Sequence, residues 1–339
     1  ILAMGAILQT ATGISLIPAA LIASIVTLAY TWSGGILAVT LTDAVQYVII
    51  VIGVTLCAYL AIDHLGGFDA MMSILYSNPR FETNMKPLAN WSLVQFLGLF
   101  FSFLLGEFCA PYYIQRYAST KSAKDSKNGL LIFGVHWIFF MATTAAIGLA
   151  SMAIQPDVKP DLAFTNLIRD ILPPGITGLV FGALLAAVMS TGAAMINTSA
   201  VIYTRDIYNK FINTAATQAQ LLRQSRLSTL VVGGISIGVA IIFQDVFGLM
   251  IYMFKLWPSA ILPPLMCGLL WGKISPYAGA PAVIAGGLSF FLWSDKVLGE
   301  PFGIPANFIG IGMNCLVLFF VHQKMKGHKP EGPFLPDLN

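Results

Sequence analysis

Long stretches without a charged residue constrain this chain more than any other feature. Uncharged runs cover residues 1–42, 44–62, 87–106, 171–204, 227–244, 274–294 and 301–321. Each is close to or above the roughly 20 apolar residues that cross a bilayer as an α-helix. Transmembrane strands would instead give short segments of alternating polarity. The pattern therefore predicts an all-α, polytopic membrane protein.

Composition excludes two other classes of protein. Of the 339 residues, 57% are hydrophobic and 10% are charged, and the mean hydropathy is +0.80. Soluble domains are about a quarter charged, so this chain cannot cover the surface of a water-soluble globule. Its 18 basic and 15 acidic residues are too balanced for a nucleic-acid-binding surface. We expect the lipid bilayer as a partner and no nucleic acid.

The hydropathy pattern predicts about ten helices in a single transmembrane domain that covers residues 1–339. The predicted helices are 1–11, 16–32, 36–62, 91–115, 129–155, 174–208, 226–244, 247–271, 276–294 and 304–323. Residues 324–339 form a short tail. Two longer connections, 63–90 and 156–173, contain amphipathic stretches at 68–76 and 162–171. These are compatible with helices on the bilayer surface or with lids over an external vestibule.

Basic residues in the loops predict the orientation. One side carries twelve: Arg116, Lys121, Lys124, Lys127, Arg205, Lys210, Arg223, Arg226, Lys273, Lys324, Lys326 and Lys329. The other carries five: Arg80, Lys86, Lys159, Arg169 and Lys296. Cytoplasmic loops are enriched in Lys and Arg, so we expect a cell-membrane protein whose C-terminus is cytoplasmic.

Catalytic motifs give no support for an enzyme. The segment Gly234-Ile235-Ser236-Ile237-Gly238 fits G-x-S-x-G, but that motif requires a strand, a sharp turn and a helix. Here it lies in the middle of a predicted span. The four cysteines lie in predicted spans and lack metal-ligand spacing. We predict no catalytic residues.

Neutral oxygen atoms at membrane depth mark the segment 181–199. Ser190 and Asn197 are seven residues apart, as are Thr191 and Thr198, so each pair shares a helix face. Two interpretations remain open. The hydroxyls could bond back to their own helix within a surface of small packing residues. They could instead bind an alkali cation, a hard ion for which oxygen ligands are expected.

Three motifs resemble the sodium:solute symporter family, which includes sodium-coupled proline, pantothenate, choline and sugar carriers. The first motif resembles the family's eighth core helix, and it consists of Ala186-Ala187-Val188-Met189-Ser190-Thr191 followed by Thr204-Arg205-Asp206-Ile207-Tyr208. The second motif resembles the family's signature around its fifth core helix, and it consists of Tyr30-Thr31-Trp32-Ser33-Gly34-Gly35 followed by Thr42-Asp43-Ala44-Val45-Gln46. Gln115-Arg116-Tyr117 closes a span where the family commonly has Q-R. The motifs occur in the family's order, at compatible spacings, over nearly the whole chain.

This resemblance implies a leucine-transporter-like core of two inverted five-helix repeats, with sodium as the coupling ion. Ser190 and Thr191 match the hydroxyl pair of the family's usual sodium site, and Ala187 would offer its carbonyl. Asp43 matches an acidic residue implicated in sodium binding or exit, although it could instead pair with a loop arginine. By the same alignment, the chain is N-terminally truncated and lacks the first core helices.

Two further ionisable residues lie at membrane depth, Glu107 and Lys255. We predict that they bind the substrate and hold opposite ends of a zwitterion. Alternatively, they pair with each other, or Lys255 extends outward to the membrane interface. Prolines 258, 263 and 264 predict a bend or a break in the helix that carries Lys255.

These observations and the resemblance together predict a sodium-coupled secondary active transporter. It would import a small organic solute, such as an amino acid or a carboxylate, by alternating access. A solute-sensing membrane module of the same fold and a proton-coupled permease are the alternatives.

Overall fold

The computed structural model describes residues 1–82, 92–242, 246–271 and 274–326. Some sequence predictions fall on other positions. Three of the basic loop residues lie outside the described residues: Lys86, Lys273 and Lys329. The same holds for the first residue of the predicted span 91–115, the last two residues of the span 226–244, part of the connection 63–90 and the tail beyond residue 326.

Helices make up most of the described chain. Apart from the short helical turns Pro79–Glu82, Pro276–Ala278 and Pro301–Gly303, they are α1 (Leu2–Thr12), α2 (Leu16–Gly35), α3 (Leu37–His64), α4 (Phe68–Ser77), α5 (Leu93–Cys109), α6 (Pro111–Ala118), α7 (Ala123–Ile154), α8 (Pro160–Ile171), α9 (Ile176–Ile212), α10 (Gln218–Ile242), α11 (Val246–Trp271), α12 (Gly279–Trp293) and α13 (Ala306–Lys324). Within the described ranges, eight helices are long and apolar enough to span a membrane, and the bent pair α5 and α6 gives a ninth. Each of the ten predicted helices has an observed counterpart, and the all-α polytopic fold is confirmed.

The junction between α2 and α3 depends on a glycine. Gly35 adopts φ 54° and ψ −146°, a conformation that glycine reaches without the steric penalty of a Cβ atom. The chain can therefore leave one span and enter the next with almost no loop. The sequence prediction of two helices separated near residues 33–35 is confirmed.

The chain forms two compact units. The first contains α1 to α4 and α7 to α10, and the second contains α5, α6 and α11 to α13. In the first unit α3 and α9 approach closely, because a Cβ atom added at Gly53 would lie 2.6 Å from Cβ of Ala183. Small residues allow such close packing of membrane helices.

Both predicted amphipathic stretches are helical and form part of the core of the first unit. Met71 and Leu75 of α4 are fully buried, and so are Leu167 and Ile168 of α8. Their partners in this core include residues of α1, α3, α7 and α9. These apolar side chains therefore pack against protein, whereas a helix that only lay on the bilayer surface would present them to lipid.

In the second unit, α11 continues through its three prolines. A proline has no backbone N–H, so Pro263 and Pro264 leave the carbonyls four residues earlier without their helical donors. The carboxamide of Asn314 in α13 replaces both donors. Its Nδ2 atom lies 3.0 Å from the Ser259 carbonyl oxygen and 2.7 Å from that of Ala260. This contact explains why the predicted break is not present.

Candidate functional site

The predicted hydroxyl pair lies in the middle of α9, on one turn of helix. The Ser190 hydroxyl donates to the Ala187 carbonyl oxygen at 2.9 Å, and the Thr191 hydroxyl donates to the same oxygen at 3.2 Å. Ser190 is half-buried and Thr191 is exposed. Three oxygen atoms are therefore gathered within one turn, on a part of the helix that packing does not fully cover.

These bonds are the back-bonding to the same helix that the sequence allowed, and they remain compatible with the alternative that the hydroxyls bind an alkali cation. A hydroxyl that donates its proton to a backbone carbonyl keeps its own lone pairs as acceptors. Thr191 therefore presents an oxygen that can face a cation. Asn197 and Thr198, two turns later on the same faces, are each only 5% exposed, so the accessible part of the stripe is its Ser190–Thr191 end.

A tyrosine connects this turn of α9 to the neighbouring helices. The hydroxyl of Tyr30, in α2, donates to the Met189 carbonyl oxygen at 3.1 Å. The side chains of Asp43 and Gln46, in α3, lie close enough to Tyr30 to interact with its phenol. The structure thus brings the predicted Asp43 close to a residue that contacts the turn containing Ser190.

Glu107 lies in the last turn of α5, immediately before a bend. The axes of α5 and α6 differ by 44° at this point, and the side chain of Tyr113 in α6 hydrogen-bonds to the Glu107 carboxylate. Gly106 contacts α11, since an added Cβ atom would lie 2.9 Å from the Phe254 carbonyl oxygen. The helices that carry Glu107 and Lys255 therefore meet at the residues next to them.

Lys255 has a different acidic neighbour. Its Nζ atom lies 3.1 Å from Oε1 of Glu300, and about a fifth of each side chain is exposed. The same Oε1 accepts the backbone N–H of Ala306 at 3.1 Å, at the start of α13. Glu300 thus holds Lys255 and the first turn of α13 together. The observed acidic partner of Lys255 is therefore Glu300, in the connection between α12 and α13.

A cavity of about 300 Å³ lies beside this ion pair. Lys255 and Glu300 form part of its wall, and Gln95 and Gly98 of α5 and Pro305 form others. An ammonium has three N–H donors, and the bond to Glu300 uses one of them. The cavity therefore offers a charged, partly enclosed site to a small polar molecule.

Sequence reasoning missed Tyr30 and Glu300 as site residues. Tyr30 was part of a recognised motif, and its polar group inside an apolar span was a signal. Glu300 lies in a connection between two predicted spans, where an acidic residue is ordinary. Its unusual feature is a positive φ of 49°, which only the structure reveals.

Comparison with known proteins gives a consistent set of relatives. The model of the sodium:solute symporter family matches residues 1–286. The osmoregulated proline transporter of Bacillus subtilis is 28% identical over 286 residues, which cover 81% of this chain and 56% of the relative. The sodium/proline symporter of Escherichia coli is 26% identical over 280 residues, 79% of this chain and 55% of the relative. The chain thus spans about half the length of these relatives.

A solved structure has the same fold. It is a Na⁺-coupled sialic acid symporter in a substrate-bound, outward-open state, with a TM-score of 0.72 and 19% identity. The match covers 98% of this chain and 71% of the other. At this identity the likeness concerns the fold, and it agrees with the predicted leucine-transporter-like architecture.

Proposed function

This chain belongs to the sodium:solute symporter family, and on that premise we propose that it is part of a sodium-coupled symporter. The protein imports a small organic solute by alternating access around a site at mid-membrane depth. The observation that carries the proposal is the convergence of the Ser190, Thr191 and Ala187 oxygens on one accessible turn of α9. The family is one of transporters, which agrees with a function other than catalysis.

Sodium binds at this turn. The ligands of the ion are uncharged oxygen atoms, namely the hydroxyl oxygens of Ser190 and Thr191 and the carbonyl oxygen of Ala187. The site therefore requires no buried carboxylate next to the ion. Asp43 contributes a negative charge in the same region, beside Tyr30, whose hydroxyl donates to the Met189 carbonyl oxygen. Each charge that enters with the membrane potential contributes about 2.3 kcal/mol per 100 mV.

The solute occupies the region of α5 and α11. Glu107 and Lys255 lie on helices that meet at Gly106 and Phe254, and Lys255 borders a cavity. A carboxylate on the solute can use the Lys255 donors that Glu300 leaves available. The proline transporters among the relatives are consistent with an amino acid as solute.

The protein lies in the plasma membrane, with the end of α13 on the cytoplasmic side. The twelve basic residues on one side and five on the other support this orientation. Bacterial sodium/proline symporters are among the relatives. Coupling to protons, or a sensing role, would give different responses in the experiment below.

Thermal unfolding of the purified full-length protein tests the sodium site without knowledge of the solute. We expect NaCl to raise the melting temperature above that in KCl at equal ionic strength, since an ion that binds only the folded state stabilises it. The Ser190→Ala, Thr191→Ala double variant should require at least about ten times more sodium for the same stabilisation, equivalent to about 1.4 kcal/mol. Individual solutes added in saturating sodium should give an additional shift.

Ser236→Ala is the matched control. Its hydroxyl also bonds back to its own helix, at 2.8 Å from the Val232 carbonyl oxygen, so it tests loss of a back-bonded hydroxyl elsewhere. The control should keep the wild-type sodium response. Equal stabilisation of the wild type by NaCl and KCl would contradict sodium binding, and an unchanged double variant would contradict this location. A response to pH without a response to sodium would favour a proton-coupled permease.

A further inference from the structure

A second, larger cavity lies in the first unit, at the ends of three helices. Its volume is about 740 Å³, and it is bordered by Trp32 of α2, Tyr208 of α9 and the first half of α10. The α10 residues include Gln220, Arg223 and Arg226, followed by Leu227 and Leu230. The sodium and solute proposals do not involve this cavity.

The wall changes from charged to apolar along α10. Arg226 is the last charged residue before the uncharged run 227–244, so it marks the level at which the helix enters the hydrocarbon region. Leu227 and Leu230 lie just beyond it and are about half exposed, at 54% and 46%. The cavity therefore extends from the depth of the lipid headgroups into the adjacent part of the acyl-chain region.

The two arginines are arranged for an anion. Arg223 and Arg226 are three residues apart on one helix, which places them on the same side. The guanidinium carbon of Arg226 lies 5.8 Å from the centroid of the Trp32 ring. A cation–π contact of this kind holds the guanidinium by its face, and its N–H edges remain able to bind phosphate oxygens in the bidentate geometry that arginine favours.

The segment that forms most of the cavity wall carries few acidic residues. Residues 203–230 contain four basic residues and one acidic residue, Asp206, which gives a net charge of +3. Asp206 is already 3.4 Å from Lys210, four residues later in the same helix. This segment therefore contributes a net positive charge to the cavity wall.

We propose that this cavity binds the headgroup of an anionic phospholipid. The phosphate lies between Arg223 and Arg226, Trp32 fixes the position of Arg226, and an acyl chain runs along Leu227 and Leu230. Basic pockets between membrane helices are suited to such headgroups. A soluble phosphate could use the arginines but not the leucines, so a diacyl lipid accounts for the whole wall.

Native mass spectrometry of the full-length protein tests this site with defined lipids. The probes are dioleoylphosphatidylglycerol, which is anionic, and dioleoylphosphatidylcholine, which has the same chains and no net charge. We expect the wild type to bind the anionic lipid at least ten times more tightly. Each basic residue near a charged lipid contributes about five-fold in affinity, so Arg223→Gln with Arg226→Gln should weaken anionic binding about thirty-fold.

The pair Lys121→Gln and Lys124→Gln is the matched control, because it removes two exposed positive charges elsewhere in the same unit. It should keep anionic binding within about two-fold of the wild type. Trp32→Leu, which preserves both arginines, should weaken binding about two- to five-fold, because one exposed cation–π contact contributes about 0.5–1 kcal/mol. Equal affinity for the two lipids, the same loss in the control pair, or full displacement of the lipid by excess inorganic phosphate would each overturn the proposal.

Discussion

Replacement of Asn314 by leucine tests how α11 remains helical through two consecutive prolines. Asn314 is fully buried in α13, and its amide nitrogen donates to the carbonyls of Ser259 and Ala260. Leucine is similar in size but has no donor. The variant should therefore expose the cost of two backbone carbonyls that Pro263 and Pro264 have left without partners.

The magnitude follows from the number of bonds lost. Hydrogen bonds between membrane helices are worth about 0.6 kcal/mol on average and up to about 1.7 kcal/mol. Two such bonds give an expected loss of about 1–3 kcal/mol in the free energy of unfolding. The bond to Ala260, at 2.7 Å, is the shorter of the two.

A double-mutant cycle isolates the role of the prolines. Pro263→Ala with Pro264→Ala restores two N–H groups, which can donate to the Ser259 and Ala260 carbonyls within α11. In that background Asn314→Leu should cost at least about 1 kcal/mol less than in the wild type. The measurement is unfolding of the purified full-length protein by increasing SDS in mixed micelles, followed by circular dichroism.

Asn307→Leu provides the control for this cycle. Asn307 is also fully buried in α13, but its amide donates to the Gly98 carbonyl oxygen, 3.2 Å away in α5. Its cost should be the same with and without the prolines. If Asn314→Leu also cost the same in both backgrounds, Asn314 would not be compensating for the missing donors and our explanation of α11 would be wrong.

Two further predictions concern the second unit and use the same unfolding measurement. Gly286→Ala should destabilise the protein by more than about 2 kcal/mol, since its Cβ would overlap the Ser259 carbonyl oxygen and lie 2.8 Å from Nδ2 of Asn314. The control Gly287→Ala should cost less than about 0.5 kcal/mol, because its Cβ would lie 3.8 Å from that of Ala260. Equal effects of the two variants would refute the close contact at Gly286. The effects of Lys255→Met and Glu300→Gln on the free energy of unfolding should be coupled by about 1 kcal/mol, because the side chains of this ion pair are only about a fifth exposed. Strictly additive effects would mean that the ion pair contributes nothing to stability.

The sequence predicted the elements of the fold well because their causes are local. The ten helices follow from the transfer of apolar segments into a bilayer, which depends on each segment's own composition. The break between α2 and α3 follows from Gly34-Gly35, and the helicity of α4 and α8 follows from their periodicity. The resemblance of three motifs was enough to predict the family, and the comparisons confirm it.

The continuity of α11 shows where local reasoning about a helix break fails. Pro258, Pro263 and Pro264 predict a bend or break in α11, and considered alone that prediction is sound. The helix continues because a side chain 54 residues after Ala260 supplies the missing donors. Nothing in the sequence near the prolines indicates such a donor.

The amino-acid sequence by itself determined that this is a helical membrane protein of one transporter family, and which residues carry oxygen or charge at membrane depth. Only the tertiary structure decided their partners. Tyr30 reaches a carbonyl 159 residues away, and Lys255 pairs with Glu300, 45 residues later. The physical reason is that hydrophobic transfer acts on each segment separately, whereas a hydrogen bond or ion pair requires two atoms about 3 Å apart, a separation that depends on how the helices pack.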